Sequence, residues 1–315
     1  MKASVVMATY NGEKYIIEQL DTIRLQTITP DEVIICDDCS TDTTVRLVVE
    51  YIEQYGLQNS WKIIQNDFNL GYAGNFHKAA DMAQGEFIFF ADQDDLWVDN
   101  KIELMIKKIE EYADCQVLCT DYEVFADNGG APAAPPKVLA QMKDAGSIEK
   151  IELSKKSVYL RALGCCMCVK KEFLCNIQKY WFDGWAQDDR MWRLGQCADG
   201  CYLWHKNLVK HRLHDNNTAT FGKYHTKTKR VILFANMQNA NLQMLRMLDD
   251  YAADEPSKSL IKAHIAMMKK RLDLLKNGKL IKLFSLICYL QYYQTPKSYL
   301  VDLYVALSRK QNQHS

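Results

Sequence analysis

Residues 87–97 have the sequence FIFFADQDDLW, in which an apolar run leads directly into three acids, Asp92, Asp94 and Asp95. An apolar run of this kind predicts a buried strand. Carboxylates crowded at the end of a buried strand repel one another and lose solvation. A divalent cation offsets that cost, and oxygen ligands suit Mg²⁺ or Mn²⁺. The segment therefore predicts a metal site at a strand end. The alternative is an acidic turn that caps the next helix.

The composition is that of an ordinary globular protein. The 315 residues suffice for one large domain or for a domain with an appendage. Lys and Arg total 39, as do Asp and Glu, which argues against a dedicated nucleic-acid-binding protein. The eleven cysteines are scattered and follow no secretion signal, so we expect reduced thiols in a cytosolic protein. No apolar window is long enough to span a membrane.

Strand and helix patterns alternate through the first hundred residues. Predicted strands cover residues 4–8, 32–36, 61–65 and 86–90, and predicted helices cover 13–26, 43–55 and 74–83. This alternation predicts an α/β fold with a mostly parallel sheet flanked by helices. In such folds ligands bind at the carboxyl ends of the strands. The polar motifs considered next follow strands or begin helices, where that rule expects a site.

The rest of the chain predicts further strands and a helical extension. A helix is expected at 101–112 and strands at 115–125 and 164–170. The Pro-rich segment 127–138 predicts a loop that serves as a lid or touches an acceptor. Helical patterns alone continue after residue 226. We therefore expect a catalytic domain at 1–225 and a helical extension at 226–315.

Two polar motifs suggest contacts to a nucleotide. The segment ICDDCSTDTT places Asp37 and Asp38 after the second strand, where a carboxylate can accept the ring N–H of uracil or thymine, or a ribose hydroxyl. A capping turn is the alternative, and it accounts well for Ser40 and Asp42. The segment NLGYAGNF, residues 69–76, opens a helix with two glycines, which permit close approach of a ligand.

Two later motifs suggest a general base and a metal or phosphate contact. WAQDDRMW, residues 185–192, places Asp188 and Asp189 between tryptophans, where partial desolvation raises a carboxyl pKa toward that of a general base. A capping pair is the alternative. HRLHDNNTAT supplies His211 and His214, expected in a polar loop. The cysteines of CCMC, residues 165–168, are expected to be buried thiols because no second CxxC exists.

Taken in order, SVVMATYNGEKYI, ICDDCSTDTT, NLGYAGNF, ADQDDLW and QDDRMW resemble the motifs of family 2 glycosyltransferases with the GT-A fold. The resemblance covers roughly the first 220 residues. ADQDDLW and HRLHDNNTA are most similar to bacterial rhamnosyltransferases of surface-polysaccharide biosynthesis. The resemblance implies an inverting, metal-dependent enzyme that moves a sugar, rhamnose from dTDP-rhamnose in that subgroup, to a glycan or lipid-linked acceptor. UDP-galactose and UDP-glucose are alternative donors.

The resemblance also implies roles for individual residues. Those assigned to the nucleotide sugar are Ala8, Tyr10, Glu13, Asp38, Asn75 and Asp92. Asp94 is the implied direct metal ligand, with Asp92 and His214 as further contacts to an Mn²⁺ or Mg²⁺ ion. Asp188 matches the catalytic base and Asp189 its neighbour. The family often has Glu-Asp where this chain has Gln187-Asp188, so either aspartate remains a candidate base.

The carboxyl-terminal region combines basic and apolar residues. Residues 262–282 contain seven Lys or Arg, and LIKLFSLICYLQYY follows from residue 280. This pattern is typical of a helix on an anionic membrane surface, here the inner face of the cell membrane. We expect Lys269, Lys270 and Arg271 to form part of that surface. The alternative is a helix packed on the catalytic domain or on a second subunit of a homodimer.

Overall fold

A computed structural model describes residues 2–126, 144–214, 226–277 and 281–307. The chain divides into two compact units, the first made of residues 1–151 and 161–217 and the second of 152–160 and 218–315. Segment 152–160 belongs to the second unit, a connection that the boundary predicted near residue 225 did not include. The Pro-rich segment 127–138, predicted as a lid or acceptor loop, lies outside the described residues.

Nine strands in the described part of the first unit form one sheet. They are β1 (Ala3–Thr9), β2 (Glu32–Asp37), β3 (Trp61–Gln65), β4 (Phe87–Asp92), β5 (Leu96–Trp97), β6 (Val117–Ala126), β7 (Ile148–Lys150), β8 (Met167–Lys170) and β9 (Cys201–Leu213). Their order is β3-β2-β1-β4-β8-β6-β9-β5, and β7 pairs with β9. The predicted α/β class and the first four predicted strands are confirmed.

Strand direction gathers the polar motifs at one edge. Strands β3, β2, β1 and β4 are mutually parallel, and β8 runs antiparallel between β4 and β6. Ala8 pairs with Cys36 on one side and with Asp92 on the other. Because parallel strands end at the same edge, the residues after β1, β2 and β4 meet there. The apolar residues of β4 are buried, as the sequence predicted.

Six helices accompany the sheet in the described part of the first unit. They are α1 (Ile16–Arg24), α2 (Thr44–Gln54), α3 (Gly71–Met82), α4 (Lys101–Glu110), α5 (Lys171–Asn176) and α6 (Gln187–Cys197). In α1, Ile16, Leu20 and Ile23 are fully buried and form the apolar face of an amphipathic helix. Aliphatic and aromatic side chains of this kind form the core with the strands.

The structure corrects two local predictions. His211 and Arg212 lie on strand β9, not in a polar loop, and His214 follows the end of that strand. The strand expected at 164–170 begins only at Met167, because a 3-10 turn occupies Gly164–Cys166. The buried thiols expected of CCMC are confirmed, since Cys165, Cys166 and Cys168 are fully buried.

The second unit is helical in its described part. Its helices are α7 (Lys227–Asp250), α8 (Glu255–Asn277), α9 (Ile281–Ile287) and α10 (Pro296–Leu307). They enclose a separate apolar core that includes Phe234, Leu274 and Leu286. Within the residues the structure describes, no helix is both long and apolar enough to cross a membrane.

A buried ion network links the helices of the second unit. Asp302 on α10 is fully buried and contacts Arg230 of α7 and Arg271 of α8. The Tyr293 hydroxyl donates to the same carboxylate at 3.1 Å. Arg271 is itself only 4% exposed, so the expectation that it belongs to a basic membrane-facing cluster is wrong.

Candidate active site

The residues after β2 and β3 form a buried polar network around Asp38. Asp38 Oδ1 accepts hydrogen bonds from Asn66 Nδ2 at 2.9 Å and from the Leu70 backbone N–H at 2.7 Å. Asn66 Nδ2 also donates to Asn75 Oδ1 at 2.9 Å. No partner for Asp38 Oδ2 lies among the described residues. Asp38 therefore keeps one carboxylate oxygen for the predicted contact to a base.

Two neighbours of Asp38 have structural roles. Asn75 is 1% exposed, and its Nδ2 donates to the Cys36 carbonyl at 2.7 Å. The expectation that Asn75 faces the donor does not fit this geometry, because its polar atoms are used behind Asp38. Asp37 is fully buried and accepts from Thr9 Oγ1 and from Ser40. The turn interpretation therefore holds for Asp37.

Gln93 joins the loop after β1 to the acidic turn. Its Oε1 accepts from the Tyr10 backbone N–H at 2.9 Å, and its Nε2 donates to the Tyr10 carbonyl at 3.1 Å. A Cβ on Gly12 would lie 2.3 Å from Gln93 Oε1, so a larger residue there would force the Gln93 side chain to move. The Tyr10 side chain is 51% exposed and Ala8 is partly exposed. Both lie beside the acidic turn, and the contact to the nucleotide that the resemblance implies for them stays a prediction.

Glu13 has a partner of its own. Its Oε2 accepts from the backbone N–H of Thr43 at 3.0 Å and from Thr43 Oγ1 at 2.7 Å. These hydrogen bonds hold the pKa of Glu13 below its usual value. The carboxylate thus ties the loop after β1 to the start of α2. If Glu13 contacts the nucleotide as predicted, the same carboxylate binds both the nucleotide and Thr43.

The three aspartates of the acidic turn occupy different environments. Burial, and next the negative charges of Asp95 and Asp94, raise the pKa of Asp92 to about 8. Asp94 is partly exposed, whereas Asp95 is fully buried. Asp95 Oδ1 lies 2.8 Å from His211 Nδ1 and accepts the Arg212 backbone N–H at 3.0 Å. Asp95 therefore anchors the turn, and Asp92 and Asp94 remain near its surface.

The end of β9 holds the acidic turn in place. His214 Nε2 lies 2.7 Å from Asp94 Oδ2, and Arg212 Nε donates to the Asp94 carbonyl at 2.9 Å. The Arg212 guanidinium lies 4.5 Å from the ring centroid of Tyr15 and 4.6 Å from that of Phe125. The HRLHDNNTAT motif contains Arg212, but the sequence indicated no role for it.

The donor atoms at the turn fit a hard divalent cation. Burial and the neighbouring carboxylates raise the pKa of Asp92, so its charged form lacks a countercharge, and oxygen atoms with one imidazole suit Mn²⁺ or Mg²⁺. A second group, Asp95, Cys165 and His211, has candidate ligand atoms within 4.8 Å of one another. Its thiol is held protonated, because contact with Cys166 and burial raise the pKa of Cys165 well above the usual value. Asp94 with His214 is therefore the better candidate site.

The two aspartates at the start of α6 differ sharply. Asp189 accepts from Arg193 Nε at 2.8 and 2.7 Å and from Trp185 Nε1 at 2.9 Å. Asp188 Oδ1 accepts the Asp189 backbone N–H at 2.7 Å, and no partner for its Oδ2 lies in the described ranges. Burial, and next the charge of Asp189, raise the pKa of Asp188 to about 7. The chemistry of a general base fits Asp188.

Asp188 lies close to the acidic turn. The Asp188 charge is close enough to Asp92 to contribute to the raised pKa of Asp92. Gly164 lies against the start of α6, where a Cβ would be 2.8 Å from Gln187 Nε2 and 3.6 Å from the Asp188 Cβ. Sequence reasoning missed Arg193 as the partner of Asp189. The available signal was the i, i+4 spacing of an acid and a base on a helix.

Residues 4–162 match the family model described as Glycosyl transferase family 2, and the chain belongs to this family. The curated relatives include the Escherichia coli protein named UDP-Glc:alpha-D-GlcNAc-diphosphoundecaprenol beta-1,3-glucosyltransferase WfgD. WfgD is 31% identical over 137 residues, which are 43% of this chain and 52% of WfgD. Another is the poly(ribitol-phosphate) beta-N-acetylglucosaminyltransferase TarS of Staphylococcus aureus, 42% identical over 98 residues, or 30% of this chain and 16% of TarS. The chain thus spans about half the length of WfgD and less of TarS.

Solved structures share the fold. The structure of the S. aureus TarS fragment 1–349 in complex with UDP has a TM-score of 0.60 at 21% sequence identity. The match covers 89% of this chain and 74% of the TarS chain. The structure of the mannosyltransferase PcManGT from Pyrobaculum calidifontis, in complex with GDP-Man and Mn²⁺, has a TM-score of 0.58 at 18% sequence identity. The match covers 98% of this chain and 80% of the PcManGT chain. The fold is therefore that of GT-A glycosyltransferases.

Proposed function

We propose that this protein is an inverting, cation-dependent glycosyltransferase. It moves a sugar from a pyrimidine nucleoside diphosphate to a hydroxyl of a glycan or lipid-linked acceptor in cell-surface polysaccharide synthesis. The observation that carries the proposal is the pairing of Asp188, a carboxylate with one free oxygen, with the acidic turn at the same edge of the sheet. Family membership supports the reaction class.

The mechanism assigns one task to each group. Asp38 Oδ2 accepts the ring N–H of the base, and the loop carrying Tyr10 borders the ribose. Asp94 and His214, with Asp92 beside them, would hold Mn²⁺ or Mg²⁺, which neutralises charge on the leaving diphosphate. Asp188 removes the proton from the acceptor hydroxyl. The hydroxyl oxygen then bonds to the anomeric carbon as the bond to the diphosphate breaks, and the configuration inverts.

Asp189 positions Asp188 and raises its pKa for that step. Its contacts to Arg193 and Trp185 fix the start of α6, and its negative charge helps to raise the pKa of Asp188 toward neutrality. A base with a pKa near the working pH is both deprotonated and strong enough to accept a proton. We therefore assign the base to Asp188 and a positioning role to Asp189.

The donor is proposed to be dTDP-rhamnose, on the resemblance of ADQDDLW and HRLHDNNTA to rhamnosyltransferases. A UDP-hexose is the second candidate, supported by the UDP-Glc in the printed name of WfgD and by the UDP bound to TarS. Both donors present a thymine or uracil N–H of the kind that Asp38 can recognise. The contacts of the site therefore support a pyrimidine nucleotide without selecting the sugar.

A catalytically inactive nucleotide-sugar-binding partner is the rival function. Such a protein needs the Asp38 network but has no use for a free carboxylate of raised pKa opposite the acidic turn. The geometry of Asp188 favours the enzyme. We further propose that the enzyme works in the cytoplasm, at the inner face of the membrane, since all eleven cysteines are free thiols.

A panel of nucleotide sugars tests the proposal. We expect dTDP-rhamnose, in the presence of Mn²⁺ or Mg²⁺, to raise the melting temperature and to be consumed when a glycan acceptor is added. The variant Asp38→Ala should lose the stabilisation, and Asp67→Ala, which changes an aspartate two residues after the end of β3, should keep it. Stabilisation by a UDP-hexose alone would replace the rhamnose assignment. Binding without turnover for every donor would favour the inactive partner.

A further inference from the structure

Large apolar side chains are exposed on α9, the turn after it and α10. Phe284 is 75% exposed, Ile287 50%, Leu300 60% and Tyr304 71%. Leu290, in the turn, is 38% exposed. Single exposed apolar residues are common on soluble proteins, but a concentration of them marks an interaction surface. We name Phe284, Ile287, Leu290, Leu300 and Tyr304 the apolar face.

The residues of the apolar face are distinct from those with which α9 and α10 pack into the core of the second unit. On α9, Leu283 and Leu286 are buried in the core of the second unit. On α10, Val305 is buried, whereas Leu300 and Tyr304 share the exposed side at i, i+4 spacing. The Tyr299 hydroxyl donates to the Leu283 carbonyl at 3.2 Å, which brings the two helices together. Both helices are therefore apolar on two sides.

The segment that carries the apolar face is rich in basic residues, of which Lys276 and Lys297 are exposed in the described part of the chain. The sequence from residue 274 to 315 contains a single acid, Asp302, and the basic residues Lys276, Lys279, Lys282, Lys297, Arg309 and Lys310. Asp302 is fully buried between Arg230 and Arg271. Its charge is thus neutralised inside the unit and does not offset the lysines. Lys297 is exposed on α10, on the turn before Leu300.

We propose that the apolar face binds the surface of an anionic phospholipid bilayer. Apolar and aromatic side chains enter the interfacial region, and the basic side chains contact lipid headgroups. A bilayer fits better than a protein partner because the basic residues are spread along the sequence from 274 to 315, and the single acid of that segment is buried. The helices lie on the bilayer, since none in the described part of the chain can cross it.

This surface differs from the one the sequence suggested. Arg271 is buried against Asp302, and Lys270 lies 5.8 Å from the Tyr289 ring centroid. Lys269 alone of that group is fully exposed. The inference does not rest on the proposed transfer reaction, so a protein with no glycosyltransferase activity would still bind vesicles.

Vesicle flotation of the full chain tests the proposal. Vesicles of phosphatidylcholine alone are compared with vesicles of phosphatidylcholine mixed with phosphatidylglycerol. We expect binding to the mixed vesicles and about tenfold weaker binding by the double variant Phe284→Glu, Tyr304→Glu, because glutamate is repelled from the anionic surface. Lys297→Glu, which leaves the apolar residues intact, should also weaken binding, and added salt should weaken it further.

Ile232→Glu on α7 is the matched control, because Ile232 is 57% exposed in the same unit but outside the apolar face. It should bind mixed vesicles as the wild type does. The proposal is overturned if the wild type does not float with mixed vesicles, or if Ile232→Glu loses as much binding as the double variant. It is also overturned if the double variant converts a dimer into a monomer while vesicle binding is unchanged, because the apolar face would then be a contact between two copies.

Discussion

The Nε of Arg193 lies within 2.8 Å of both carboxylate oxygens of Asp189, one turn away on the same helix. Arg193 is only 2% exposed, so this contact is shielded from water. The adjacent Asp188 makes no such contact in the described ranges and keeps a raised pKa. Asp189 therefore has a structural role, and Asp188 is left available for proton transfer.

The Asp189 charge should tune the base. Replacing Asp189 with Asn removes a negative charge that helps to raise the pKa of Asp188. We expect the acidic limb of the kcat profile to move to lower pH, with a smaller loss of turnover than Asp188→Asn causes. Initial rates across a pH series measure both effects. An acidic limb that stays in place would show that Asp189 does not act on Asp188.

Turnover of the wild type should depend on pH through Asp188. Burial raises its pKa to about 7, and only the deprotonated carboxylate can accept the acceptor's proton. The rate should therefore fall as the pH drops below about 7 and level off above it. Rates at saturating donor and cation give the profile. A rate independent of pH across this range would exclude Asp188 as the titrating base.

His214 should contribute to cation affinity. It contacts Asp94 from the end of β9, and we expect His214→Ala to weaken Mn²⁺ binding by about tenfold. Titration of the protein with Mn²⁺, followed by electron paramagnetic resonance, measures this without any turnover.

His205→Ala is the matched control for His214. His205 Nδ1 lies 2.7 Å from Asp121 Oδ2, the same distance as in the His214–Asp94 pair, and this pair is not part of the acidic turn. It should leave Mn²⁺ affinity unchanged. Equal losses in the two variants would mean that His214 acts through general stability.

Asp302 should be critical for the stability of the second unit. Asp302→Asn leaves the guanidinium groups of Arg230 and Arg271 buried without a countercharge, so we expect a loss of about 3–5 kcal/mol in the free energy of unfolding. Urea denaturation measures it. Asp249→Asn removes the ion pair between an exposed carboxylate and Lys258 and should cost about 1 kcal/mol or less. Similar costs for the two variants would contradict the role given to the buried network.

The sequence was sufficient for the sheet edge and its acids. Short apolar runs such as FIFFA predict buried strands, and the polar residues that follow them must lie at the carboxyl edge. Asp38 and Asp94 could therefore be placed from local pattern alone. Asp188 and Asp189 could not be separated, because the difference depends on which one Arg193 contacts.

Local sequence pattern does not show which distant residues are in contact, and only the family resemblance implied that His214 lies near Asp94. His214 meets Asp94 only because β9 joins the sheet beside β6 and β5, and that pairing has no local signature. Arg271 is a second example. In the sequence it is one of several basic residues, whereas in the structure it is buried and paired with Asp302. Its burial follows from how the helices of the second unit pack.

The most direct test of the central claim is the turnover of Asp188→Asn at saturating donor, cation and acceptor. Asp183→Asn, which changes an exposed aspartate nearby, serves as the control. The account predicts that Asp188→Asn binds the nucleotide sugar as the wild type does but transfers the sugar about a hundredfold or more slowly, while the control is unaffected. Turnover of Asp188→Asn within a few-fold of the wild type would contradict it.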